Sequence, residues 1–257
     1  LGIEELAATI GCSLGGMTVL AHAALFPGRS RRLVSISGAM AANAAAIATR
    51  SLQREIVGTM LRSAAPLPQI HQAMRWARKI GILSYVGTDL LDQRFGRDQG
   101  EPYSGRGSGT DFEVEYWLEH LGEKFTRQFD PWSYWTISRA MDLYDFATQG
   151  MPVPERRAPR TPTDPVAAAR RLRLQQALVI GVQEDRLFPV EQQRMLAQTL
   201  RTAGIDTRYV ELSSPYGHDA FLTETALFTP ALAALLNQAT SHGVARAGEF
   251  GATAGHA

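Results

Sequence analysis

Apolar and polar positions follow two regimes along this chain. At the start, compact apolar runs alternate with amphipathic stretches. Ala8 to Ile10 predicts a short buried strand, "GGMTVLAHAALFP" a helix stopped near Pro27, and "RRLVSISG" a second strand closed by Gly38. From about Ala41 to Gln149 the period is helical. The stretches "ANAAAIATRSLQREIVGTMLRSA", "PQIHQAMRWARKIGILSYV", "FEVEYWLEHLGEKFTRQF" and "PWSYWTISRAMDLYDFAT" each predict a helix, with the Gly/Ser-rich loop "RDQGEPYSGRGSGTD" among them. Strand–helix alternation then returns. "QQALVIGVQED" and "TRYVELSSPYGHD" read as strands running into polar loops. "VEQQRMLAQTLRTAG" reads as a helix with Gly204 past its end, and "AFLTETALFTPALAALLNQAT" as a closing helix.

Strand–helix–strand order with short connections predicts parallel pairing and an α/β fold. The expected layout is an α/β core from residues 1–45 and 174–240, interrupted by a helical cap over 46–150. A Pro-rich connector over 151–173 and a disordered tail over 241–257 complete it. The chain begins at Leu1 in the middle of a strand–turn–helix unit, so it is expected to be a C-terminal piece of a longer protein whose first strands lie upstream.

Composition narrows the function classes. Apolar residues make up 45% of 257 residues, which predicts a globular protein. A formal net charge of +1 gives no electrostatic case for nucleic acid or an anionic membrane. The single cysteine, Cys12, rules out an internal disulfide framework and a multi-Cys zinc site, and no metal site is expected. No signal peptide and no membrane-length apolar run is visible, so a soluble, cytoplasmic protein is the default expectation.

Candidate chemistry gathers at the ends of the predicted strands. Gly11-Cys12-Ser13-Leu14-Gly15 fits G-x-S-x-G, the turn that exposes a nucleophilic serine in α/β-hydrolases. Asp185 follows the strand "ALVIGV" and His218 follows "RYVEL", which gives the order Ser, Asp, His at one edge of the sheet. His218 would take the Ser13 proton, and Asp185 would orient the imidazole. The Leu14 N–H would supply one oxyanion donor, with the second expected from an upstream loop. Glu184 is the rival acid. Asp206 falls at the wrong end of its strand. Cys12 stands where the motif accepts any residue, which suits a small buried apolar role.

These segments resemble the homoserine O-acyltransferase family. The resemblance rests on "GCSLGGM", "QREI", "RFGR", "GEKFTRQFDPWSYWTISRAMDLYDF", "EDRLFPVEQQ" and "SPYGHDAFL", and runs from Gly11 to about Leu222. It implies an α/β-hydrolase fold with a cap, a Ser13–His218–Asp185 triad, and ping-pong transfer from acetyl-CoA or succinyl-CoA to homoserine on the route to methionine. O-acetylation of homoserine is the expected activity. It also implies that Arg78, Tyr85 and Asp219 bind the amino acid, that no cofactor beyond the CoA co-substrate is needed, and that the protein is a homodimer. Arg78 and Tyr85 are spaced to share a helix face, and Gly81 between them would leave room for a ligand. A guanidinium suits a carboxylate, and an aspartate an ammonium. The segment "VGTMLRSAAPLPQIHQAM" is shorter than in the family and lacks its Asp-Pro and Gly-x-Tyr, so the shape of the acceptor pocket does not carry over. Serine as acceptor, an esterase, and an inactive fragment are the alternatives.

Overall fold

The structure is a computed structural model that describes residues 2–99, 112–150 and 163–247, with residues 238–247 described as backbone only. The expected Gly/Ser-rich loop and Pro-rich connector fall largely outside these residues.

Strand β1 (Thr9–Cys12) leads into helix α1 (Leu14–Leu25), and β2 (Arg32–Ile36) follows. Helices α2 (Ala44–Arg62), α3 (Leu67–Ile82), α4 (Thr88–Phe95), α5 (Glu113–Gln128) and α6 (Pro131–Leu143) come next. The short α7 (Pro165–Ala169) precedes β3 (Gln176–Val182), α8 (Val190–Thr202) and β4 (Asp206–Leu212). The chain closes with α9 (Ala220–Thr223) and α10 (Thr225–Ala247). All four described strands are parallel in the order β1-β2-β3-β4.

The two central strands are apolar on both faces because helices cover both. Leu33, Ala177 and Val179 point to one side, against Val19, Leu20 and Ala23 of α1 and Leu196, Ala197 and Leu200 of α8. The alternate residues Val34, Ile36, Leu178, Ile180 and Val182 point to the other, against Phe228, Ala231 and Leu235 of α10. This is the period-2 alternation of a strand, doubled by burial on both sides. β1 departs from the expected buried strand. It forms one end of the described sheet, with only β2 beside it, and Ile10 is 46% exposed.

Helices α2 to α6 lie between β2 and β3 and carry their own core, in which Val57, Met74 and Ala77 pack with Phe125, Phe129 and Tyr134. The two ends of this excursion meet. Phe146 N–H donates to the Met40 carbonyl at 2.7 Å, and Ala41 bridges to Asp145. The buried Phe146 joins the cluster under the sheet, so the helical unit is fastened at its base.

The closing segment differs from the expected single helix. It breaks at Glu224 into α9 and α10. The helix then continues to Ala247, through residues 241–247 of the segment expected to be disordered. "SHGVARA" contains no proline, and its Ala245, Arg246 and Ala247 are good helix formers that carry the helix past Gly243. No single helix among the described residues is long and apolar enough to cross a membrane.

Candidate active site

Ser13 sits between β1 and α1 with φ 55° and ψ −122°. A non-glycine residue at positive φ is strained. Here the strain is held from both sides. Ser13 N–H donates to the Ile36 carbonyl at 2.8 Å, and the Ser13 carbonyl accepts from Met17 N–H at 3.2 Å. The turn also needs Gly11: a Cβ there would lie 2.1 Å from the Gly15 carbonyl oxygen. Gly15 itself faces open space, and a Cβ on it would meet nothing within 4 Å. The tight approach is therefore made at Gly11 and not at both glycines of the motif.

The parallel register brings the C-terminal ends of β1, β3 and β4 to one edge, where the loops carry Ser13, Asp185 and His218. His218 Nε2 lies 2.7 Å from Ser13 Oγ, and its Nδ1 lies 2.7 Å from Asp185 Oδ2. The other Asp185 oxygen, Oδ1, accepts from the N–H groups of Leu187 at 2.9 Å and Phe188 at 2.8 Å. Asp185 is thus fixed as an acceptor, and the His218 proton sits on Nδ1 when the ring is neutral, leaving Nε2 to accept from the serine. Phe188 stacks on the imidazole at 5.4 Å and Phe221 meets it edge-on at 5.4 Å, so the ring is boxed by apolar faces. His218 N–H donates to the Tyr85 carbonyl at 2.7 Å, which ties the catalytic loop to the cap. Gly217 permits that contact: its φ is +54°, and a Cβ would fall 2.6 Å from the Tyr85 carbonyl oxygen.

The rival residues are elsewhere. Glu184 accepts from Ser213 Oγ at 2.6 Å and Ser214 N–H at 2.7 Å and braces the loop after β4. Asp206 accepts from Gln176 Nε2 at 3.1 Å, at the opposite end of β4. Cys12 packs beside Ile36 and the α10 cluster, and burial pushes its thiol pKa up, which keeps it a poor nucleophile. The Leu14 N–H stands in the first turn of α1, where helix amides have no intrahelical acceptor, beside the nucleophile. Among the described residues no group of three His, Cys, Asp or Glu side chains could hold a metal ion.

Arg78, Tyr85 and Asp219 converge on the same place. Arg78 Nη1 donates to Tyr85 Oη at 3.3 Å, and its guanidinium lies over the Tyr85 ring at 5.0 Å and the Phe125 ring at 5.2 Å. The expected shared helix face is not how they meet: α3 ends at Ile82, and Tyr85 reaches Arg78 from the turn that follows. Gly81 lines the cavity described below, and its missing side chain also makes room for a neighbour. A Cβ there would lie 2.8 Å from Gln53 Nε2, so the missing side chain admits Gln53. Arg75 and Lys79 pair with Glu119 on α5, whereas Arg78 points inward. Burial pushes the Asp219 carboxyl pKa up, with the charges of His218 and Arg78 opposing the rise.

Beside the triad, on the cap side, lies a cavity of about 160 Å³ between α2, α3, α6 and the loop after β3. Tyr85 and Leu187 form its wall towards the triad, and Arg50, Arg78, Tyr134 and Met141 line it further in. Arg50 and Tyr134 were not among the residues expected from the sequence. Burial raises the Tyr134 pKa, so its hydroxyl stays a donor, and Arg78, Arg54 and Arg50 all act on it. Their signal in the sequence is only a charge or hydroxyl on the inward face of a cap helix.

The sequence model of a family described as alpha/beta hydrolase fold matches residues 1–225. A serine O-succinyltransferase of Stenotrophomonas maltophilia is 39% identical over 251 residues, covering 92% of this chain and 62% of that protein. One of Litchfieldella anticariensis is 40% identical over 242 residues, covering 92% of this chain and 63% of that protein. The chain thus spans under two thirds of the length of these curated relatives. Among solved structures, a homoserine O-acetyltransferase from Bacillus anthracis superposes with a TM-score of 0.77 at 18% identity, over 92% of this chain and 61% of that one. Esterase E22 superposes with a TM-score of 0.75 at 19% identity, over 91% of this chain and 62% of that one. At these identities the two structures speak for the fold alone.

Proposed function

This chain belongs to the α/β-hydrolase family, and on that premise we propose that it is an acyltransferase, which moves an acyl group from a CoA thioester to the side-chain hydroxyl of a small α-amino acid. The observation that carries this reading is the pairing of two features at one place. A Ser13–His218–Asp185 relay has its hydrogen bonds in place, and Arg78, Tyr85 and Asp219 stand beside it. Hydrolysis of a simple ester needs only the first. Arg78, and Asp219 next to His218 in the chain, suit the carboxylate and the ammonium of an amino acid.

The reaction proceeds in two balanced halves. Ser13 Oγ attacks the thioester carbonyl while its proton passes to His218 Nε2. The carbonyl oxygen becomes an oxyanion facing the Leu14 N–H. The C–S bond then breaks, and the proton leaves with the CoA thiolate as the free thiol. In the second half the amino-acid hydroxyl gives its proton to His218 and attacks the acyl-serine. Collapse returns the proton to Ser13 and releases the O-acyl amino acid. Arg78 and Asp219 hold the acceptor by its two charges, which places its hydroxyl against the ester.

Homoserine is the acceptor that the motif resemblance implies. Serine is the acceptor favoured by the names of relatives near 40% identity. By analogy with the homoserine O-acyltransferases that its motifs resemble, the reading also includes a homodimer at work in the cytoplasm. The test is to incubate the protein with acetyl-CoA or succinyl-CoA and an equimolar mixture of serine and homoserine, then identify products by mass. An O-acyl amino acid supports the proposal. Free acyl acid as the sole product, formed at the same rate without the amino acids, makes the protein a hydrolase.

A further inference from the structure

Gln53 is a buried amide that the mechanism above does not use. It lies on α2, is 6% exposed, and stands on the wall of the cavity beside the triad. Its Nε2 donates to the Ala77 carbonyl of α3 at 2.7 Å. Within a helix that carbonyl is the acceptor for the N–H four residues on, which here is Gly81. A carbonyl has two lone pairs, so Gln53 adds a second donor to the same turn from a neighbouring helix. Gly81 is where the two helices close on each other. A Cβ there would lie 2.8 Å from Gln53 Nε2 and 3.4 Å from Tyr85 Oη. Amide, glycine and phenol are packed against one another, with no room for a methyl group among them.

The packing continues to the site. The Gly81 carbonyl accepts from Ser84 N–H at 2.9 Å and from Ser84 Oγ at 2.6 Å, which fixes the turn that leads to Tyr85. Tyr85 then serves two parts of the site at once. Its hydroxyl accepts from Arg78 Nη1 at 3.3 Å, and its carbonyl accepts from His218 N–H at 2.7 Å. His218 has further support on the sheet side, from Asp185, Phe188 and Phe221. Arg78 has less. Among the described residues it has no ion-pair partner, and its Nε is buried without a hydrogen-bond partner. Its direction is set by the Tyr85 hydroxyl and by the Tyr85 and Phe125 rings.

A small shift of the turn after α3 would therefore leave the base largely in place and misdirect Arg78. We infer that Gln53 is a positioning residue for the acceptor step: through the Gly81 turn it sets the Tyr85 hydroxyl, and with it the guanidinium that receives the carboxylate of the amino acid. This rests on the acyl-transfer reading and adds to it the residue that holds the acceptor clamp in register.

The test compares the two half-reactions in the intact protein. CoA release without acceptor is followed in a stopped-flow instrument with acetyl-CoA and with succinyl-CoA, and kcat/KM is measured for serine and for homoserine. Gln53→Met keeps the length of the side chain and removes the donor. It should lower the acceptor kcat/KM roughly two- to tenfold, the range for one neutral hydrogen bond, through a higher acceptor KM and with far less change in acylation. Gly81→Ala should lower it further, because the added methyl group displaces Gln53. Gln53→Ala in the Gly81→Ala background vacates that space and should recover part of the loss, so the two changes are not additive. Gln53→Met alone decides the matter if Gly81→Ala does not fold. Losses shared equally by acylation and transfer, or a double variant worse than Gly81→Ala, overturn the inference and leave acyl transfer standing, since Gln53 would then only support the fold. An acceptor kcat/KM in Gln53→Met equal to that of the wild type overturns it as well. If neither thioester acylates Ser13 in the wild type, the acyl-transfer reading fails and this inference with it.

Discussion

Each side chain of the relay has its tautomer, orientation or backbone set by a named neighbour. Asp185 accepts two backbone N–H groups and the His218 ring, so an amide in its place would present a donor where an acceptor is needed. Asp185→Asn should lower kcat on the order of a thousandfold or more. Glu184→Gln, which disturbs only the loop brace, should cost far less. Steady-state kinetics decides between them, and a larger loss for Glu184→Gln would mean that the wrong acid has been assigned. Asp219 supplies a pH prediction. Burial raises its pKa above the ordinary 3.8, and only the ionised form attracts an ammonium. As pH falls, protonation therefore removes the acceptor clamp at a higher pH than an exposed aspartate would. The acceptor kcat/KM, divided by the rate of acceptor-free acylation, should fall on the acid side in the wild type. Dividing by the acylation rate cancels any pH dependence that both steps share. The same ratio should be lower but flat in Asp219→Asn. An identical acid limb in both proteins would remove Asp219 from the clamp.

At the scale of elements, the strand–turn–helix unit around Ser13 shows how glycines of one motif differ in what they do. A methyl at Gly11 would meet the Gly15 carbonyl at 2.1 Å, whereas one at Gly15 meets nothing within 4 Å. Gly11→Ala should destabilise by about 1–3 kcal/mol or more, as overpacking does. Gly15→Ala should be neutral or stabilise by up to about 1 kcal/mol through helix propensity. Urea unfolding of the two variants checks this, and equal losses would contradict the geometry. The order of the strands and helices, and the positions of Ser13, Asp185 and His218 after β1, β3 and β4, were readable because apolar periodicity and turn residues are local signals. Contacts across the cap were not. Tyr85 meets Arg78 through a turn, Gly81 makes room for Gln53, and Arg50 looks in sequence like any charge on a helix. Such features depend on which helix faces which, and no local pattern encodes that.

At the scale of the whole molecule, the cap and the sheet form one site because a few polar ties cross between them. The Tyr85 carbonyl holds the His218 loop and Met40 holds Phe146, while within the cap Asp142 on α6 holds Arg50 and Arg54 on α2. Asp142 is the only anion in that last tie, and its side chain is 8% exposed. Asp142→Asn would leave the buried Arg50 and the half-buried Arg54 without a counter-charge and should cost about 3–5 kcal/mol in urea unfolding. A loss below about 1 kcal/mol would mean that the tie is solvated in practice. These contacts set the cavity beside Ser13, where in the proposed reaction an acyl group rests on the serine until an amino acid collects it. An intact-mass chase tests that step: the protein is mixed with succinyl-CoA alone, digested, and the labelled peptide identified, then the acylated protein is challenged with serine, homoserine or buffer. The expected result is an acyl adduct on the Ser13 peptide, its absence in Ser13→Ala, and its discharge much faster with an amino acid than with water, yielding the O-acyl product. An adduct on Cys12, or discharge at the same rate in buffer, would contradict acyl transfer through Ser13.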